Sequence, residues 1–152
     1  MTSRNRRPAR NLALQALYEL DCTAHTVADV MEGRLETDSQ TDPLPDDLRQ
    51  FAFQLVNGVL QYKERLDVVI QQYASEWPLA QMAIVDRNIL RIAIYEFAIL
   101  TETPIKVAIN EAIELAKDFG SDNTSRFING VLGSLAAHET ELREELGRET
   151  SQ

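Results

Sequence analysis

Residues 84–100 read Ile84-Val85-Asp86-Arg87-Asn88-Ile89-Leu90-Arg91-Ile92-Ala93-Ile94-Tyr95-Glu96-Phe97-Ala98-Ile99-Leu100. Wound at about 100° per residue, this stretch carries apolar side chains on nearly every side. A helix that is apolar all round has other helices packed against it, so these residues are expected to form the central, buried helix of an all-α protein. Glu96 lies inside it. A lone buried charge is very costly, so Glu96 is expected to meet an arginine or a capping amide beside the helix rather than to pair with Glu111 as catalytic carboxylates.

Outward from this helix the spacing stays helical and no alternating strand pattern appears. Upstream, Trp77-Pro78 punctuates the chain, and Leu66, Val69, Ile70 and Tyr73 form one stripe after a break near residues 58–63. Pro45-Asp46-Asp47 opens a helix with acids at its positive end, and its core stripe is Leu48, Phe51, Leu55 and Val59. Residues 37–45 are polar, acidic and proline-containing, and read as a loop. Val27, Val30, Met31 and Leu35 mark a shorter helix. The first helix carries Ala9, Leu12, Ala13, Ala16, Leu17 and Leu20 at amphipathic spacing, with Pro8 in its first turn.

Downstream, Thr103-Pro104 ends the central element. Ile109, Ala112, Ile113 and Ala116 define the next helix, which Gly120 stops from the C′ position. A last helix starts at about Thr124 and turns Ile128, Val131, Leu132 and Leu135 inward. Gly130 and Gly133 sit inside it, each costing about 1 kcal/mol in a helix, so close approach of a neighbouring helix, or else of a ligand backbone, is expected there, with helix packing the favoured reading. Beyond His138 the pattern fades into an acidic segment, helical at first and then frayed. The reading is a single compact domain of about seven helices over residues 1–138, followed by an acidic C-terminal tail at 139–152.

Composition removes several function classes. No apolar run approaches the roughly 20 residues that cross a bilayer, and Gln15 and Glu19 interrupt any signal-like apolar segment behind the N-terminal arginines. The single cysteine, Cys22, cannot form an internal disulfide, which fits a reducing, cytoplasmic setting. The sequon Asn123-Thr124-Ser125 is then empty of meaning. Phosphate-binding glycine loops and nucleophile elbows are absent. His25, His138 and Cys22 lack metal-ligand spacing. The expectation is no catalytic residue, no metal, no cofactor and no enzyme.

The formal net charge of −9 argues against nucleic acid until its distribution is read. Arg4, Arg6, Arg7 and Arg10 precede any acid, whereas residues 29–49 hold seven acids against two arginines. Such a basic segment on an acidic body is an electrostatic footprint. On the first helix Arg7, Arg10, Leu14 and Tyr18 fall within about 80° of one another. Arginine pairs with phosphate through a two-pronged fork, and tyrosine offers a flat face to an unpaired base. The alternative is that Leu14 and Tyr18 are core and the arginines merely solvated. In the block Arg126 to Gly133, Arg126 and Phe127 lie off the glycine strip and are available to a partner.

Four ordered blocks carry a resemblance. They are Ala9-Arg10-Asn11-Leu12-Ala13-Leu14-Gln15-Ala16-Leu17-Tyr18; residues 85–96, from Val85 to Glu96; Pro104 to Lys117 with Phe119-Gly120; and Arg126-Phe127-Ile128-Asn129-Gly130-Val131-Leu132-Gly133. Together they make the chain similar to the NusB family of transcription antitermination factors. The resemblance implies an all-α fold in two small helical subdomains. It also implies binding to boxA-type single-stranded RNA of ribosomal RNA transcripts jointly with NusE, a small-subunit ribosomal protein. That complex loads onto RNA polymerase and suppresses premature termination.

Carried onto this sequence, the RNA-binding positions are Arg6, Arg7, Arg10, Gln15, Tyr18, Phe127 and Asn129. Asp86, Lys117, Asn123 and Arg126 are secondary candidates for the RNA or partner side. Asn5 and Pro8 interrupt the arginine run usual in the family, which implies fewer phosphate contacts. Some relatives form homodimers that bury the RNA surface. Two other readings stand beside this one: a helical protein-interaction module without direct RNA binding, and the isolated NusB-like domain of a ribosomal RNA cytosine methyltransferase. The chain ends at Gln152 without a methyl-donor domain, which counts against the latter.

Overall fold

The computed structural model describes residues 5–38 and 43–150; Arg4 and residues 39–42 of the expected loop lie outside the described residues. Eight α-helices, a 3-10 turn and a π-helical segment are present, with no strand among the described residues. The protein is therefore all-α, with one helix more than the sequence spacing suggests. The chain divides into two compact units, Met1–Gly58 and Val59–Gln152.

The first unit holds α1 (Arg7–Cys22), α2 (Val27–Asp38) and most of α3 (Asp46–Gln61). The side chain of Asn5 starts α1 by accepting the Arg7 N–H at 3.0 Å. Pro8 occupies the first turn, where its missing donor is not needed. Ala9, Leu12, Ala13, Ala16 and Leu17 are buried at the expected spacing, and Leu14 is buried with them. Each leucine so buried contributes about 1.5–3 kcal/mol. The Thr23 hydroxyl ends the helix by donating to the Glu19 carbonyl at 2.8 Å. Helix α2 packs on α1 through Val30 and Met31, and α3 adds Leu48, Phe51 and Leu55 to the core.

In the second unit α4 (Lys63–Tyr73) begins one residue after α3 ends, a tighter break than the spacing suggests. A 3-10 turn at Leu79–Gln81 leads into α5 (Ile84–Ile94), where every residue from Asn88 to Ile94 is buried. Helices α4, α6 (Ile105–Phe119) and α7 (Asp122–Ala136) all contact α5, which is thus the central helix expected. Its one buried guanidinium, Arg91, is matched by a two-pronged pair with Asp67: Nε to Oδ1 at 2.7 Å and Nη2 to Oδ2 at 3.0 Å. A third donor, Nη1, reaches the Asn88 side chain at 3.0 Å.

The stretch does not stay α-helical to its end. Tyr95–Leu100 widens into a π-helical turn, and Thr101 follows in the left-handed region at φ 60°. Glu96 is buried there, and one of its partners is the Thr103 hydroxyl, which donates to Oε1 at 2.9 Å.

Two glycine expectations need correction. Gly120 follows α6 in extended backbone, not in a left-handed C′ conformation. Its role is steric, because a Cβ there would lie 2.6 Å from the Thr124 side chain. Gly130 and Gly133 are not packing contacts: among the described residues, a Cβ at either would meet nothing within 4 Å. Helix α7 buries Ile128, Val131, Leu132 and Leu135, and the two glycines lie on its exposed side. Residues 139–150 form α8 (Glu139–Thr150), which buries Leu142 and Leu146 and sends Arg143 Nε to the Phe97 carbonyl at 3.0 Å.

Candidate nucleic-acid interface

The start of α1 gathers the arginines around one ring. The Arg6 guanidinium carbon lies 4.2 Å from the centroid of the Phe51 ring, and that of Arg10 lies 5.5 Å from it. Both distances are inside the roughly 6 Å over which a ring face attracts a cation. The arginines differ in access. Arg6 is exposed, Arg7 is half-buried, and Arg10 retains only 5% of its surface. Leu14, one member of the edge read from the sequence, belongs to the core, while Tyr18 at its far end is 44% exposed.

Gln15, half-buried on α1, is held by α2. Arg34 Nη1 donates to Gln15 Oε1 at 2.9 Å while Nη2 donates to Glu19 Oε1 at 3.2 Å. Glu19 also faces His25 Nδ1 at 3.0 Å. Arg34 therefore sets the amide of a candidate contact residue. In sequence this role is hidden, because Arg34 stands among acids, where it reads as a solvated counter-charge. Phe51 was likewise read only as core, since its place under two arginines depends on how α3 packs against α1.

Within the second unit a cleft of about 200 Å³ is lined by Trp77, Met82, Asp86, Asn123, Thr124 and Phe127. It brings Asp86, Asn123 and Phe127 together, three of the residues singled out from the sequence. Thr124 is its hinge: its hydroxyl donates to Asp86 Oδ1 at 3.1 Å and accepts the Ser121 N–H at 3.0 Å, which closes the first turn of α7. Burial pushes the Asp86 carboxyl above its ordinary range, with the Thr124 hydrogen bond pulling partly back. Trp77, at 56% exposure, borders the cleft, although in sequence Trp77-Pro78 reads as punctuation only. Arg126 and Asn129 are exposed on α7 outside the lining, and Lys117 is exposed on α6, 3.6 Å from Glu114.

Among the described residues, no group of three His, Cys, Asp or Glu side chains is placed to hold a metal ion. No helix among them is long and apolar enough to cross a membrane.

Comparison with known proteins gives these surfaces a family. The model of the NusB family matches residues 7–137. The transcription antitermination protein NusB of Dehalococcoides mccartyi is 48% identical over 132 residues, covering 87% of this chain and 90% of that protein. The Bacillus subtilis protein of the same name is 44% identical over 130 residues, covering 86% and 93%. Among solved structures, NusB of T. maritima superposes with a TM-score of 0.77 at 29% identity, covering 92% of this chain and 99% of that one. A chain of the crystal structure of antitermination factors NusB and NusE in complex with double-stranded RNA shares the fold, with a TM-score of 0.78 at 21% identity and coverage of 95% and 99%. With the family model matching most of its length and relatives of nearly half identical sequence, the chain belongs to the NusB family.

Proposed function

We propose that this protein is an RNA-binding transcription antitermination factor. It binds boxA-type single-stranded RNA of ribosomal RNA transcripts together with NusE, and the complex suppresses premature termination by RNA polymerase. It acts in the cytoplasm as a binding protein, with no catalytic step of its own. The observation that carries the reading is the exposed ring of Tyr18 on the helix whose start presents Arg6 and Arg7. A flat aromatic face on a basic helix suits a strand whose bases are unpaired and whose phosphates are charged. The names of the relatives support the antitermination role.

On this reading Arg6 and Arg7 meet phosphates, Tyr18 stacks on a base, and Gln15 hydrogen-bonds beside it. Arg10, largely covered, supports the surface more than it contacts RNA. In the second unit Phe127 and Asn129 are the proposed contacts, with Asp86, Lys117, Asn123 and Arg126 on the RNA or partner side. A chain of net charge −9 with a short basic segment binds RNA weakly alone, and NusE supplies the remaining affinity. The test is a titration of boxA-type against scrambled RNA, with and without NusE. Preference for boxA that strengthens with NusE is expected. Equal binding of both RNAs, or none in either condition, would favour a protein-interaction module.

A further inference from the structure

We propose that Arg34 is a positioning residue for RNA recognition: it fixes the amide of Gln15 so that N–H donors face the bound strand, and the base beside Tyr18 is one that offers a carbonyl oxygen, uracil or guanine. The inference rests on the RNA-binding reading of α1. Three observations carry it. Arg34 Nη1 donates to Gln15 Oε1 at 2.9 Å. The same guanidinium donates from Nη2 to Glu19 Oε1 at 3.2 Å, and the other oxygen of Glu19 lies 3.0 Å from His25 Nδ1. Tyr18, 44% exposed, follows Gln15 by three residues on α1, so the two side chains are neighbours on the helix surface.

An arginine side chain only donates, so the amide oxygen of Gln15 turns to Arg34 and its NH2 group turns away. Left alone, the two ends of a glutamine amide exchange places freely, because the last torsion is broad and two-fold. A hydrogen bond from a charged donor biases that choice about ten-fold or more. Arg34 is itself held. One guanidinium grips two side chains of α1 a turn apart, Gln15 and Glu19, and the Glu19 carboxylate offsets its charge. That arrangement makes it a brace for α1 rather than a phosphate contact. Among the described residues Gln15 Nε2 has no hydrogen-bond partner, and Gln15 is only half-buried, so its donors are open to a ligand. Uracil and guanine carry a carbonyl oxygen where cytosine and adenine carry an amino group. A fixed NH2 group bonds to the first kind and opposes the second, donor against donor.

The experiment uses the full chain and a fluorescently labelled boxA-type single-stranded RNA oligonucleotide, with affinity read by anisotropy. In a set of oligonucleotides each uridine in turn is replaced by zebularine, which lacks the O4 oxygen, and each guanosine by 2-aminopurine riboside, which lacks the O6 oxygen. At one position the missing oxygen is expected to weaken binding about three- to ten-fold, the scale of a single hydrogen bond, and Gln15→Met should abolish that loss. Arg34→Met frees the amide to turn, and should shrink the loss at the same position to under about two-fold. Gln15→Glu keeps the length of the side chain and presents acceptors only. It should invert the preference there, favouring cytosine over uracil or adenine over guanine, and it tests the idea even where the Arg34 variant fails to fold.

Unchanged discrimination in a folded Arg34→Met protein overturns the proposal, because the amide then keeps its direction unaided. So does a Gln15→Glu protein that retains the parent's preference for the carbonyl base. A parent that binds the RNA but shows no position dependent on Gln15 sinks this proposal and leaves the RNA reading standing, whereas a parent that binds no RNA sinks both.

Discussion

Tyr18 holds its side chain in surroundings unlike those of its neighbours in sequence, and Asp86 holds a carboxyl in a partly buried cleft. The ring of Tyr18 is 44% exposed between buried Leu17 and half-buried Glu19. A core residue and a binding residue would answer truncation differently. Tyr18→Ala is expected to weaken binding of single-stranded RNA by roughly 1–3 kcal/mol while leaving the melting temperature nearly unchanged. Matched RNA titrations and thermal melts check this; lost stability with unchanged affinity would make the ring structural. Asp86 has its carboxyl pushed up by burial. A carboxyl whose folded-state value exceeds its unfolded value of about 3.9 binds protons more readily in the native state. The ionised form therefore costs stability, and that cost grows as pH rises from the unfolded value through the raised one. Asp86→Asn, which can still accept the Thr124 hydroxyl, should raise the melting temperature at pH 7. The gain should shrink towards zero as pH is lowered below the unfolded value; a gain independent of pH would contradict the account.

At the scale of elements, the α6–α7 corner depends on one missing methyl group. The Ser121 N–H and the Asp86 carboxylate both engage the Thr124 hydroxyl, which leaves that β-branched side chain little freedom to retreat. Its Cβ and Cγ2 would each lie 2.6 Å from a Cβ placed on Gly120. Gly120→Ala is expected to destabilise the protein by about 1–3 kcal/mol, the usual cost of overpacking, in urea denaturation. Alanine at Gly130, facing open space on α7, should instead stabilise by about 0.5–1 kcal/mol. An opposite ranking of the two variants would show that the corner relaxes and that the exposed face of α7 is not open. The Arg91–Asp67 pair works at this scale too, since it ties α5 to α4. Asp67 keeps 20% of its side-chain surface, so the pair is only partly buried, and replacing Asp67 by alanine is expected to cost about 1–3 kcal/mol.

For the whole molecule the governing quantity is charge. With Arg6 and Arg7 accessible and Arg10 covered, the isolated protein should show a log–log salt dependence of RNA binding near −1.4, at about −0.7 per phosphate contact. A slope of zero would remove phosphate from the interface, and one steeper than about −3 would require more cations than this surface offers. The helical architecture was legible from the chain itself. The apolar run at 84–100, buried from Asn88 to Ala98, the stripe Leu48, Phe51 and Leu55, and the stripe Ile128, Val131, Leu132 and Leu135 state their period locally, and the two stripes are buried where that period puts them. The basic start of α1 was equally plain, because charge order along a chain needs no fold to be read. Four things were decided only in three dimensions: the covering of Arg10, the ring beneath Arg6, the clamp of Arg34 on Gln15, and the meeting of Asp86 with Thr124. Periodicity says which face of a helix is apolar, but the partner of a polar group is chosen by whichever distant segment packing brings within about 3 Å of it.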